Sequence, residues 1–290
     1  MLLSTFKIRN FFVFNTLKLM RNVSAQPNAA STETKKPDTL KSLSVSEYRN
    51  VYVEFLPDPT VEFRNPIREK LERFDMLARR ENVDIPEFYV GSILAVTYSD
   101  PHSLGKTNRF VGICIKREGC GLRAKFLLRN VIDQQGVEVL YEMYDPSIIK
   151  VEVLRLEKRL DDELLYLRDS LPEYSTFDSN MEMEILPEGT PIPINTLKVK
   201  LKPKPWLERW ERKNLRGVES IDVPDYVLEK AKKVATPWEK HDLMKQYMKT
   251  IPEEEQITIF NEIQPQLQQL ELTRKKLKRK RSFIKPVKLG

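Results

Sequence analysis

Cysteine and histidine are scarce, and Cys114, Cys120, His102 and His241 complete both inventories in 290 residues. There is no CxxC pair and no Cys/His cluster with zinc-ligand spacing, which argues against structural zinc modules. Two cysteines are too few for a disulfide framework, so reduced thiols are the expectation. Long apolar runs are missing as well. The run Phe11–Phe14 stops after four residues, far short of the roughly 18 that suggest a membrane-spanning helix. Charged residues make up 31% of the chain against 40% hydrophobic, and the mean hydropathy is −0.47. Such a balance allows a packed core of modest size.

Acids are absent from both ends. None precedes Glu33, whereas Lys7, Arg9, Lys18 and Arg21 give residues 1–32 a charge of +4. Residues 274–290 carry +9, again without an acid, so a chain with net charge +7 is acidic, at −6, between its ends. A basic end is an address or an arm for a polyanion, because neutralising phosphates releases counterions. The N-terminal stretch is amphipathic, hydroxylated and acid-free, the composition of a mitochondrial transit peptide. Lys18 interrupts what would be the apolar core of a secretory signal.

Catalytic constellations are thin. His102 lies in a polar loop with no apparent nucleophile nearby, and His241 falls on a charged helix, so both read as surface histidines. The acid run Asp161–Glu163 suits a helix start, where the dipole favours negative charge. Gly119-Cys-Gly-Leu-Arg-Ala124 matches a GxGxxA dinucleotide fingerprint, but that motif needs a strand before it and a helix after it. The next segment, Phe126–Ile132, is strand-like, and Gly136 comes too soon for a helix. The glycines read as a tight turn between strands. No enzyme activity, cofactor or metal is implied.

Residues 25–45 are polar and read as a linker. Asn65-Pro66 opens a helix, with Asn as cap and Pro in the first turn. Ile67, Leu71, Phe74 and Leu77 form its apolar stripe, expected to dock on the neighbouring domain. From Val90 the pattern changes to five short apolar runs: Val90–Tyr98, Arg109–Arg117, Arg123–Val131, Val137–Tyr144 and Ile148–Leu156. Turn signals separate them at Ser99–Asn108, Gly119–Gly121 and Asp133–Gly136, which suggests a small barrel or sandwich. Asp161–Arg168 reads as a helical turn. Prolines then recur at 187, 191, 193, 203 and 205, and Lys198–Trp206 alternates basic and apolar residues in an extended segment. Helices are expected from Pro224, from Thr236, where Glu239 completes capping-box spacing, and from about Gln266 into the tail, with the acids at 253–255 ahead of it.

Five basic residues surround the glycine turn, Lys116, Arg117, Arg123, Lys125 and Arg129, against one acid, Glu118. Arg123, Lys125 and Arg129 share strand parity and so would share a face. A small barrel with such a patch suits contact with RNA backbone. In the tail, Arg274, Lys275, Lys276, Lys278, Arg279, Lys280 and Arg281 crowd into eight positions. Self-repulsion at that density disfavours a stable free structure, and phosphates are the natural counterpart.

The segment from Pro86 to Arg168 resembles the bacterial-type large-subunit ribosomal protein nineteen. Phe110-Val-Gly-Ile-Cys-Ile-Lys-Arg-Glu-Gly-Cys-Gly-Leu122 is similar to the family's Phe-x-Gly-Val-Val-Ile-x-Arg-x-Gly-x-Gly-Leu. Phe126–Asn130, Gly136-Val137-Glu138, Asp145-Pro146, Ile148–Val153 and Leu165-Tyr166-Leu167-Arg168 come in the family's order and spacing. Two places depart: the arginine after Gly-Val-Glu is Val139, and Phe-Pro-Leu is Tyr141-Glu142-Met143. The extensions and the import signal resemble a mitochondrial form of that family.

The resemblance implies a mixed fold, with a small SH3-like β-barrel flanked by helical and extended N- and C-terminal extensions. With the composition and the segment pattern it divides the chain into a transit peptide over 1–32, an N-terminal extension with an amphipathic helix over 33–85, the barrel over 86–171 and a C-terminal extension with an extended segment, helices and a basic tail over 172–290. It also implies a structural constituent of the mitochondrial large ribosomal subunit, in the matrix, that supports mitochondrial translation near the subunit interface. Expected partners are large-subunit ribosomal RNA, neighbouring mitochondrial ribosomal proteins and small-subunit RNA across a bridge, with the Ser99–Asn108 loop reaching toward the latter. The alternative is a nuclear RNA- or DNA-binding protein that uses Arg274–Arg281 as its import signal.

Overall fold

The computed structural model describes residues 45–282, apart from residues 101, 104, 188 and 189. The chain divides between Lys41 and Ser42 into two units, and all described residues belong to the second. The expected transit peptide and the linker up to residue 44 lie outside the described residues, and the linker's last residue, Val45, opens the first helix.

Helix α1, Val45–Val51, and helix α2, Pro66–Asn82, precede the sheet. The start of α2 is dictated by its sequence: the Asn65 side chain accepts the Ile67 and Arg68 amides, and Pro66 fills a position whose N–H would have no partner. Of the expected docking stripe only Leu77 lies on the buried face. Ile67 and Leu71 are 74% and 63% exposed and Phe74 is exposed too, while Met76, Leu77 and Arg80 are buried. The helix is rotated because its charged side has stronger partners. Arg80 Nη2 lies 2.5 Å from Oε1 of buried Glu54, and Arg73 pairs with Glu262 on the last helix.

Strands β1 (Ile93–Ser99), β2 (Thr107–Glu118), β3 (Lys125–Ile132), β4 (Gln135–Glu142) and β5 (Ile148–Arg155) match the five expected runs, with shifted ends. They form one antiparallel sheet in the order β4-β3-β2-β1-β5. Among the described residues no ladder joins β4 to β5, so the sheet is not closed into a barrel. The pairing of Ser99 with Thr107 shortens the long loop to residues 100–106. The β3–β4 hairpin turns on Asp133 and Gln134, both at positive φ, and Gly136 stands inside β4 opposite Val131.

Both faces of the central strands are covered, which is why Val111–Ile115 reads as a continuous apolar run. Cys114, Phe126 and Leu128 face a core shared with Tyr48, Phe55, Met76 and Phe88. Ile113 and Ile115 face a second core built by the C-terminal extension with Tyr166, Val199, Trp210 and Val218.

The segment after β5 departs from expectation in its details. Two-residue strands β6, Lys158–Arg159, and β7, Ile194–Asn195, pair in parallel. The helical turn begins only at Leu165, and Asp161 instead accepts the amides of Arg216 and Gly217 at 2.8 Å. Asp161 thus holds a returning chain, and the acid run does not start a helix. Helix α3, Asp225–Val234, begins where Pro224 predicts, but Thr236 makes no side-chain cap, and a 3₁₀ turn, Pro237–His241, leads to the short helix α4, Leu243–Tyr247.

Helix α5 runs from Glu253 to Ser282 and contains Pro265. It starts thirteen residues earlier than the expected Gln266, with Glu253–Glu255 in its first turn. An internal proline costs about 3 kcal/mol. Ile259, Phe260, Ile263 and Leu267 enter the first core from one face, and each such side chain returns about 1.5–3 kcal/mol on burial, which outweighs that cost.

Candidate nucleic-acid interface

The glycine turn has the conformation its sequence requires: Gly119 and Gly121 both sit at positive φ, +81° and +63°. A Cβ at Gly119 would lie 2.5 Å from the Arg123 carbonyl oxygen, a backbone atom that cannot step aside.

The five basic residues around it meet different fates. Arg117 points inward. A bulge between Cys114 and Lys116 shifts the register so that Lys116 pairs with Leu127 and Arg117 with Phe126. Bulges re-aim side chains in this way. The Arg117 guanidinium lies 4.3 Å from the centre of the Phe88 ring, donates to the Phe88 carbonyl at 2.6 Å and reaches Glu54 Oε2 at 3.2 Å. Glu54 thereby joins Arg80 and Arg117 in one buried charge cluster, to which the Tyr144 hydroxyl adds a hydrogen bond from Arg80.

Lys116 sits 2.9 Å from Glu118 and 3.5 Å from Glu163, and Lys125 is 2.8 Å from the other oxygen of Glu118. Hydrogen bonds from Lys125 and Lys116 hold the Glu118 carboxyl below the usual carboxylate range, and Glu118 in turn raises Lys116. Arg129 pairs with Glu138 at 2.7 Å, and Arg168 grips the second oxygen of Glu138 at 2.7 Å. Burial opposes ionisation of Glu138, but the two guanidiniums prevail and its pKa falls.

Lys125 and Arg129 do share a face of β3, opposite buried Phe126 and Leu128. Arg123 does not join them, because it ends a 3₁₀ turn, Gly121–Arg123, before the strand begins. Four of the five residues thus have internal acid partners, and Arg123 is the exposed one. Their sequence environment gave no sign of this, since three of the acids, Glu54, Glu138 and Glu163, are distant in the chain.

The basic tail is helical through Ser282 as the end of α5, contrary to the expectation of no stable free structure. Arg274 is a clamp: its Nη1 is 2.7 Å from Asp84, and its Nη2 donates to the carbonyls of Arg80 and Val83. Lys276, Lys278 and Arg279 are exposed, and Lys275 is half-buried. The side chains of Lys280 and Arg281 lie outside the described residues.

Fold and site together define a class: a β-module clamped by its own N- and C-terminal extensions, with basic groups carried on ordered backbone. Comparison with known proteins agrees. The family described as ribosomal protein L19 matches residues 69–176, reaching back into α2 beyond the expected Pro86. Over 266 residues, 90% of this chain and 86% of the relative, the sequence is 64% identical to large ribosomal subunit protein bL19m of Drosophila melanogaster. It is 31% identical over 100 residues to bL19c of Spinacia oleracea, covering 34% of this chain and 43% of that one. Against bL19 of Ehrlichia ruminantium the identity is 32% over 97 residues, covering 33% and 75%. The chain belongs to the bL19 family of ribosomal proteins, in its mitochondrial form.

Proposed function

We propose that this protein is a structural constituent of the mitochondrial large ribosomal subunit, resides in the mitochondrial ribosome and catalyses no reaction. The observation that carries this is the 64% identity to bL19m, which runs through 90% of the chain and so includes the extensions as well as the β-module. Residues 1–32 serve as the import sequence.

The sheet works as an SH3-like barrel. Supporting that reading, β5 returns beside β1 after a four-strand meander, and residues of both edge strands, Tyr141 and Val151, share one core. The module binds ribosomal RNA through phosphate contacts at Arg123 and along the tail, near the subunit interface, with the loop at 100–106 facing the small subunit.

Depletion tests the role. Loss of the chain should lower the large-subunit peak and mitochondrial protein synthesis together, and re-expression should restore both. Nuclear accumulation of the chain with unchanged mitochondrial synthesis would reject it.

A further inference from the structure

Most basic residues of the β-module are neutralised by its own acids, so unpaired positive charge on rigid backbone must be sought elsewhere. Residues 198–216 hold it. They carry eight Lys and Arg against Glu208 and Glu211, whereas residues 33–273 as a whole are at −6. Within this stretch Val199 is fully buried and Leu201 is packed against the second core. Alternation on an extended backbone then forces Lys198, Lys200 and Lys202 outward together, and all three are exposed.

The backbone beneath them is pinned at three points. Val199 donates its amide to the Gly217 carbonyl at 2.8 Å, Leu201 bridges Ser170, and Lys202 donates its amide to the Asp169 carbonyl at 2.8 Å. The Asp169 carboxylate fixes the return of the chain by accepting from Leu207 N and from Trp210 Nε1. Among the described residues no acid pairs with Lys198, Lys200 or Lys202. The acid on the adjoining segment, Glu219, donates its amide to the Val199 carbonyl. Lys204, by contrast, is engaged with Glu211 and the Trp206 ring and is not part of the row.

We infer that Lys198, Lys200 and Lys202 form a phosphate-binding row that tracks one strand of RNA. Alternate residues of an extended segment are about 6.6 Å apart, a repeat that suits successive backbone phosphates. Lysines act there as point charges, so the row positions RNA and does not read its sequence. Because the row is held by buried Val199, partly buried Leu201 and three backbone bonds, little ordering entropy is lost on binding. A surface of this kind on the C-terminal extension lies outside the residues matched to the family. The inference rests on the proposed role in the ribosome but concerns a separate surface.

The test uses the full chain and an in vitro transcript of mitochondrial large-subunit ribosomal RNA. The variant Lys198→Gln/Lys200→Gln/Lys202→Gln is compared with Lys232→Gln/Lys233→Gln/Lys249→Gln, which removes the same charge from exposed sites. The three side chains are exposed, so the melting temperature should not change. Loss of three phosphate contacts should reduce the slope of log K against log salt by about 2 to 3, and the control should leave it near the original value. Equal loss in both variants would mean diffuse charge and overturn the row. An unchanged slope with failed incorporation into the large subunit would also overturn it, in favour of an acidic protein partner. If the unaltered chain binds no RNA, the RNA-binding reading falls as a whole. Binding by the unaltered chain with an unaffected variant removes only the row.

Discussion

The rings of Tyr98 and Tyr141 lie 5.9 Å apart, centre to centre, although Tyr98 is on β1 and Tyr141 on β4. Two strands stand between them in the sheet. With neighbouring strands about 4.8 Å apart, a flat sheet would separate the two positions by about 14 Å. The sheet is therefore strongly curled, and Phe126, stacked 5.7 Å from Tyr141, fills the concave side.

Tyr141 should respond to substitution in two opposite ways. Its ring is buried, but its hydroxyl is buried without a hydrogen-bond partner among the described residues. Tyr141→Phe should hold or raise stability by up to about 1 kcal/mol, since an unsatisfied group is removed. Tyr141→Ala should cost about 3–5 kcal/mol. Denaturant unfolding of the two variants checks both values, and a destabilised Phe variant would reveal a hydroxyl partner.

The buried cluster of Glu54, Arg80 and Arg117 should behave as structure. Glu54→Gln leaves two guanidiniums without their counter-charge and should cost about 3–5 kcal/mol. Arg117→Gln should lower the melting temperature and leave the salt dependence of RNA binding unchanged. A changed salt slope with an unchanged melting temperature would return Arg117 to the RNA interface.

Glu138 gives a pH signature. Arg168 and Arg129 depress its folded pKa below the ordinary carboxylate value, so its contribution is present above about pH 4.3. It is lost as pH falls through the folded pKa. The stability gap between the unaltered chain and Glu138→Gln should be largest near pH 7 and shrink as pH falls through the depressed folded pKa. A gap independent of pH would mean that shape, and not charge, is what Glu138 supplies.

In the tail, Arg274 must be separated from the residues beyond it. Truncation after Thr273 would remove the Asp84 ion pair along with the charge. Truncation after Arg274 keeps the clamp, and should weaken RNA binding and flatten its salt dependence while the melting temperature holds. An unchanged slope would show that the tail is not an RNA-binding arm.

Strand positions were legible because apolar runs and turn residues are local signals, and Asn65-Pro66 located α2 for the same reason. The buried face of α2 was not legible, since Arg80 is drawn in by Glu54, 26 residues away, and Arg73 by Glu262 on α5. Pro265 reads as a helix start in a local window, and only the burial of Ile259, Phe260 and Ile263 ahead of it explains a helix from Glu253. The basic patch was legible as composition but not as charge. A one-residue bulge turns Arg117 inward onto Glu54, and Glu118, Glu163 and Glu138 neutralise its neighbours. The alternation in Lys198–Trp206 was visible, while the burial of Val199 that gives it direction was not.

Sedimentation of lysed mitochondria tests the central claim most directly. With the subunits separated at low magnesium, the chain should travel wholly with the large-subunit ribosomal RNA, at a level equal to that of other large-subunit proteins. Its recovery with the small subunit, or at the top of the gradient while large subunits remain intact, would contradict a structural place in the large subunit.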